Sequence, residues 1–169
     1  ARRLCAPRHR LARLVMPAPV QLPSGSPALI EVLELIRRSF ADMDGRIDPP
    51  SSMHHLTLDA LAAQAEAGEV WVIGTPVVAC VVLTARTDVL YLGKLAVAAD
   101  QRGTGLARQL VELAAERARA HGLEALELQT RVELLENHAT FARLGFVQTA
   151  TCAHPGYTRP TSVVLRRSL

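Results

Sequence analysis

Three apolar runs rich in β-branched residues follow one another at the centre of the chain: EVWVIG at residues 69–74, PVVACVVLT at 76–84 and DVLYLGKLAV at 88–97. The first two are separated by little more than Gly74 and Thr75, so they read as an antiparallel hairpin, and the third continues as a third antiparallel strand. Such a meander argues against a parallel doubly wound sheet, whose strands need long crossovers between them.

Upstream, LVMPAPVQLPSGSP at 14–27 is rich in proline, so a first strand there must lie at an edge or be irregular. Ser26 and Pro27 read as an N-cap and first helical position, followed by Leu29, Ile30, Leu33, Ile36 and Phe40 at helical spacing. MDGRIDPPSS at 43–52 breaks that helix with a loop, and a short second helix is expected from Thr57 to near Gly68. Downstream, Leu106, Leu110, Leu113 and Ala114 form an apolar stripe, Arg108 and Glu112 a surface pair, and Gly122 the residue beyond the helix end. LEALELQTRV at 123–132 alternates as a half-buried strand does. A short helix through His138 to Leu144 stops at Gly145, and FVQTATC and TSVVLRRSL close the chain as two strands.

The chain of 169 residues is 49% hydrophobic, enough for one substantial core. The net charge of +3 is uneven: Arg2, Arg3, Arg8, Arg10 and Arg13 form a basic arm, and the remainder is slightly acidic. Residues 1–13 are therefore expected to be a poorly ordered arm and 14–169 a single domain. With 4% aromatic residues and no basic-aromatic interleaving elsewhere, nucleic-acid binding is not expected. No apolar run approaches the roughly 18–20 residues of a membrane span, so no membrane partner is expected either. Cys5, Cys80 and Cys152 are odd in number and widely spaced. They form no metal-ligand pattern and suit a reduced, cytoplasmic setting.

The third run leads into ADQRGTGLARQL, residues 99–110. A strand that enters a glycine turn and then a helix aims several main-chain N–H groups at one spot, where the helix dipole also favours negative charge. Arg102 can add charge-assisted hydrogen bonds to a phosphate there. The same letters also describe a tight strand-to-helix turn with no ligand. Two nucleotide motifs fail: the chain has no GxxxxGK[ST], and Arg108 stands where a dinucleotide fingerprint needs a small residue.

The segment resembles the acetyl-CoA signature [RQ]-x-x-G-x-[GA] of the GNAT superfamily of N-acyltransferases, here Arg102, Gly105 and Ala107, with Gln101 and Gly103 as in many members. LGKLAV resembles the family's fourth strand, and ENHATFARLGF at 136–146 its later helix ending in Gly-Phe. The resemblance implies an α+β (α/β) fold with a mixed, mostly antiparallel sheet of about six to seven strands. Helices cover both faces, and the fourth and fifth strands splay apart. It implies acetyl-CoA as co-substrate: Leu95, Ala96 and Val97 along the pantetheine arm, and Arg102, Gly103, Thr104, Gly105, Leu106 and Ala107 at the pyrophosphate. Asn137 matches a residue many members use near the cofactor; its other reading is a helix cap.

The implied activity is direct transfer of the acetyl group to a primary amine of a small molecule or peptide. The alternative is a non-catalytic acyl-CoA-binding or regulatory module of the same fold. An alkylammonium with a pKa of about 10.4 must first lose a proton, so a base or a water chain is needed. Many members protonate the leaving thiolate with a tyrosine, at whose place Phe141 stands. Tyr91, which shares strand parity with Val97, and Tyr157, in the AHPGYTRPTS loop at 153–162, are the remaining tyrosine candidates. Glu127 and Glu133 are candidate bases or solvated edge carboxylates, and His54 and His55 candidate proton carriers or exposed side chains. Asp42, Asp44, Arg46 and Asp48 lie in the early loop that covers the acceptor in this family; they would suit a cationic amine or simply form turns. Homodimers are frequent in the family.

Overall fold

The computed structural model describes residues 16–169; the basic arm expected over 1–13 and Cys5 lie outside the described residues. In chain order the elements are β1 (Val20–Leu22), α1 (Leu29–Ala41), α2 (Leu58–Ala67), β2 (Glu69–Ile73), β3 (Ala79–Ala85) and β4 (Val89–Val97). Then come α3 (Leu106–Ala120), β5 (Ala125–Arg131), α4 (Leu135–Arg143), β6 (Val147–Cys152) and β7 (Ser162–Ser168). Among the described residues no helix is long and apolar enough to cross a membrane.

The strands form one seven-stranded sheet in the order β1-β2-β3-β4-β5-β7-β6. Every neighbouring pair is antiparallel except β4 and β5. The proline-rich start does supply a first strand; it is three residues long and sits at the edge beside β2, where missing N–H donors do least harm. The expected hairpin turn after β2 is longer than Gly74 and Thr75 alone, because β3 begins only at Ala79.

One face of the sheet is covered by α1 and α2, whose Leu29, Val32, Leu33, Ile36 and Leu61 pack on Val70, Val72, Cys80 and Val82. The helix α1 starts at Leu29 rather than at Pro27: Ser26 and Pro27 instead form a lead-in turn, with the Ser26 hydroxyl accepting from Ala28 N–H. Ile30 is half exposed and Val32 takes its place in the buried stripe. Thr57 caps α2 as expected, its hydroxyl accepting from Ala60 N–H.

The opposite face carries α3, which buries Leu106, Leu110, Val111, Ala114, Ala115 and Ala118 against β3, β4 and β5. Fully burying one leucine contributes roughly 1.5–3 kcal/mol, so this stripe fixes the helix and the turn that precedes it. Glu112 pairs with Arg167 of β7 at 2.9 Å rather than mainly with Arg108. At the far end of α3, Arg117 donates three hydrogen bonds to Glu69 of β2, at 2.8, 2.9 and 3.2 Å, and His121 and Trp71 bond to the same carboxylate.

Strands β4 and β5 pair in parallel only at Val89↔Ala125, Leu90↔Leu126 and Tyr91↔Glu127. Beyond that point β4 stays on β3, ending at Val97↔Ala79, while β5 stays on β7, ending at Arg131↔Ser162. A bulge marks the parting: Cys80 faces Ala96 and Val82 faces Gly93, so Lys94 and Leu95 stand against Val81 alone. Lys94, within the bulge, takes φ 52°, a left-handed conformation that a lysine seldom adopts.

Candidate active site

At the end of β4 the turn carries Gly103 at φ 78° and Gly105 at φ 93°, both in the region open to glycine. No heavy atom lies within 4 Å of where a Cβ at Gly103 would stand. The first helical bond of α3 runs from Gln109 N–H to the Gly105 carbonyl. The N–H groups of residues 103–108 therefore have no acceptor among the described residues, and they converge at the positive end of a helix four turns long. An oxyanion fits this cradle, and its chemistry suits a pyrophosphate. Arg102 flanks it with its guanidinium on Asp42 at 3.1 Å, an exposed pair worth little that a phosphate can displace. The Thr104 hydroxyl donates to the Gln101 carbonyl at 2.6 Å and closes the turn.

Next to the cradle, Leu95, Ala96 and Val97 form the unzipped stretch of β4, whose main-chain groups on the β5 side face no strand. On the β5 side of the gap, Asn137 donates from Nδ2 to the Thr130 hydroxyl at 3.4 Å. Asn137 lies inside α4, so the cap reading does not hold; Leu134 is the residue at the helix start. Phe141 of the same helix packs edge-on against Phe146, with ring centroids 5.8 Å apart.

At the apex of the gap, Tyr91 is mostly buried, and burial pushes its phenol above the usual range despite the nearby Arg86. The parity argument that placed it with Val97 fails at the bulge. Leu90, Leu92, Leu95 and Val97 all pack on the α3 side, so Tyr91 faces the other way. Its partner Glu127 is held by two guanidinium groups, Arg86 at 3.1 Å and Arg166 at 3.3 Å. Arg86 also stacks 3.7 Å from the Tyr91 ring centre.

Three loops meet past the end of β5, at the mouth of the gap. Tyr157 donates to Asp48 Oδ1 at 2.7 Å and Arg159 to Asp48 Oδ2 at 2.8 Å, which ties the loop after β6 to the loop after α1. The Tyr157 and Arg159 hydrogen bonds hold the Asp48 carboxyl below its ordinary range, and the same bond raises the Tyr157 phenol. Glu133 accepts from Asp48 N–H at 3.3 Å and keeps its other oxygen buried without a partner among the described residues. Arg131, at the end of β5, donates to His154 Nε2 at 2.7 Å and to the Pro49 carbonyl. His154 in turn is 2.5 Å from the hydroxyl of the fully buried Thr161. Burial and then the Arg131 charge lower the His154 pKa, so the ring is neutral near pH 7.

Not all the early-loop candidates join this cluster. His54 pairs with Asp44 at 2.6 Å, Arg46 with Glu136, and His55 is exposed. The acids there are thus largely matched by the chain's own cations. Arg131, His154 and Arg159 were not among the residues the sequence singled out. Arg131 continues the period of two set by Glu127 and Gln129, and that alternation was the available signal. Among the described residues no group of three His, Cys, Asp or Glu side chains could hold a metal ion.

A sequence profile of the "Acetyltransferase (GNAT) family" matches residues 29–146. No curated protein sequence matches the chain significantly. Solved structures share the fold. The PaiA N-acetyltransferase from Thermoplasma acidophilum, in complex with coenzyme A, superimposes with a TM-score of 0.73 at 10% identity, covering 89% of this chain and 98% of that one. An acetyltransferase from Streptococcus agalactiae gives 0.70 at 19% identity, covering 89% and 97%. The ribosomal-protein-S18-alanine N-acetyltransferase from Escherichia coli gives 0.65 at 18%, covering 90% and 94%.

Proposed function

Because the chain belongs to the acetyltransferase (GNAT) family, we propose that it is an N-acetyltransferase that moves the acetyl group of acetyl-CoA directly to a primary amine of a small molecule or peptide. The observation that carries this reading is the gap between β4 and β5 beyond Tyr91 and Glu127, which opens beside the glycine cradle. When bound, acetyl-CoA supplies an activated thioester carbonyl, and everything else is the work of the chain.

In this reading residues 102–107 hold the pyrophosphate through main-chain N–H groups, with Arg102 leaving Asp42 to join them. Leu95, Ala96 and Val97 offer main-chain bonds to the arm and a donor to the oxygen that gains charge. Asn137 and Phe141 line the other wall. Tyr91, protonated at neutral pH, passes the amine's proton outward through its hydroxyl. Glu127 serves by holding Arg86 over that ring, since both its oxygens are engaged. Tyr157, with Asp48 and Arg159, shapes the acceptor wall. Phe141 donates no proton; a thiol with a pKa of about 8.5 leaves as a tolerable thiolate near neutral pH.

Among the described residues Cys80 and Cys152 are free thiols, which accords with a cytoplasmic setting. A second copy of the chain is the macromolecular partner proposed, with no nucleic acid and no membrane. The test of function is thiol release from acetyl-CoA over a broad panel of amines and peptides, read beside the melting temperature with and without acetyl-CoA. Turnover with any amine supports the enzyme; stabilisation without turnover across the panel supports the binding module instead.

A further inference from the structure

Lys94 is the only lysine in the chain; every other side chain of the Lys/Arg class is an arginine. It is therefore the one side-chain primary amine the protein contains. Arginine is the better partner for carboxylates and phosphates, and it stays charged at any accessible pH. What a lysine offers instead is an ammonium that gives up its proton and becomes a nucleophile when desolvated.

The position has that character. Lys94 stands on the unzipped stretch of β4, three residues past the last pair with β5, and next to Leu95 at the start of the proposed arm-binding edge. The bulge and the φ of 52° set it out of the regular alternation between Leu92 and Leu95. Its side chain is half-buried and makes no ion pair or hydrogen bond with any described residue, whereas Glu127 and Asp48 are already held by Arg86, Arg166, Tyr157 and Arg159. Burying a charge without a counter-ion is costly, which favours the neutral amine. The Lys94 pKa is lowered by burial.

We propose that Lys94 is itself an acetyl acceptor: the protein acetylates its own Lys94 from acetyl-CoA bound in the gap. This rests on the reading of the gap as an acetyl-CoA site. The neutral Nζ attacks the thioester carbonyl, an N–C bond forms as the C–S bond breaks, and the proton shed by Nζ goes to the leaving thiolate. The products are Nε-acetyl-lysine and free CoA. The modification replaces a titratable amine beside the gap with a longer, neutral amide, so it acts as a brake on transfer to external amines when these are scarce.

The experiment is to incubate the full chain with acetyl-CoA and no acceptor, and to follow intact mass and then the peptide that holds Lys94. The expected result is one acetyl group on Lys94, at a rate that saturates with acetyl-CoA. Lys94→Arg should gain none at that position. Gly105→Glu, which fills the phosphate cradle, should react at least about tenfold more slowly, because the reaction loses its proximity advantage. Acetic anhydride, which needs no cradle, should modify both lysine-bearing proteins alike. Lys94 left unmodified in protein that acetyl-CoA stabilises would overturn the proposal, as would equal rates in wild type and Gly105→Glu. If acetyl-CoA gives no stabilisation at all, the acetyl-CoA reading itself falls, and the self-acetylation with it.

Discussion

Tyr91 and Glu127 are the last residues that β4 and β5 pair, and Arg86 bridges them, stacking 3.7 Å from the ring centre of one and lying 3.1 Å from the carboxylate of the other. The bridge sits at the apex of the gap, where the sheet changes from a closed surface into two arms. Under the proposed function it gives different work to two side chains that the sequence offered as equal candidates.

Replacing Tyr91 by Phe keeps the ring under Arg86 and removes only the hydroxyl. In steady-state assays with acetyl-CoA and any accepted amine, kcat should fall by about 10²-fold, the lower end of what a positioned proton carrier contributes. The KM for acetyl-CoA should stay within about twofold. Glu127→Gln should cost kcat much less, since the carboxylate is already paired and acts through Arg86. A larger loss in Glu127→Gln than in Tyr91→Phe would reverse the two roles.

The glycine cradle leads to a binding experiment. A ligand at about 100 times its Kd stabilises the folded state by about 2.7 kcal/mol, which calorimetry or thermal shift reads directly. Gly105→Glu should lower the melting temperature modestly, as a side chain at φ 93° is strained. It should also erase the further rise that acetyl-CoA produces. A variant that acetyl-CoA still stabilises as it does wild type would move the phosphate site elsewhere.

Glu69 ties β2 to the end of α3, and its pKa is lowered to about 2. Burial opposes that shift, and the hydrogen bonds from Arg117, His121 and Trp71 outweigh it. A carboxylate depressed on folding contributes stability that is fully present above its unfolded pKa, here 4.5, and is lost as pH falls toward 2. Urea unfolding of Glu69→Gln at pH 7 should show a loss of roughly 1–3 kcal/mol, below the value for a fully buried pair because the Arg117 side chain is 34% exposed. The gap between variant and wild type should narrow between pH 4.5 and pH 2; a constant gap would mean that packing, not charge, is responsible.

Much of this was legible in the sequence where the cause is local. The turn at 102–107 was readable because glycine at positive φ and a strand-to-helix junction declare themselves within a few residues. The apolar stripe of α3 was readable for the same reason, through Leu106, Leu110 and Ala114 at helical spacing. Tyr91 was placed on the wrong face by parity with Val97, because one bulge between them inverts the alternation. The letters Gly93 and Lys94, a glycine and a charge inside an apolar run, were the local sign of that bulge. The joining of the loops at the mouth had no such sign: Tyr157 and Asp48 are 109 positions apart, and only the folded sheet brings their loops together.

The mouth also carries a pH dependence. His154 stacks its bonds between Arg131 and Thr161, and burial together with the Arg131 charge keeps it neutral in the folded state. For a histidine whose folded pKa is depressed, the stabilising contribution is present above the unfolded value of about 6.5 and is lost as pH falls through the folded one. Below that point an imidazolium beside Arg131 repels it, which loosens its bond to the Pro49 carbonyl and with it the loop that carries Asp48. The KM for the acceptor should therefore rise on the acid side, while the affinity for acetyl-CoA, held chiefly by the turn before α3, should change little. His154→Gln has no proton to gain, so its acceptor KM should lose the acid limb. A limb that survives in His154→Gln would assign it to another group and overturn the role given to His154.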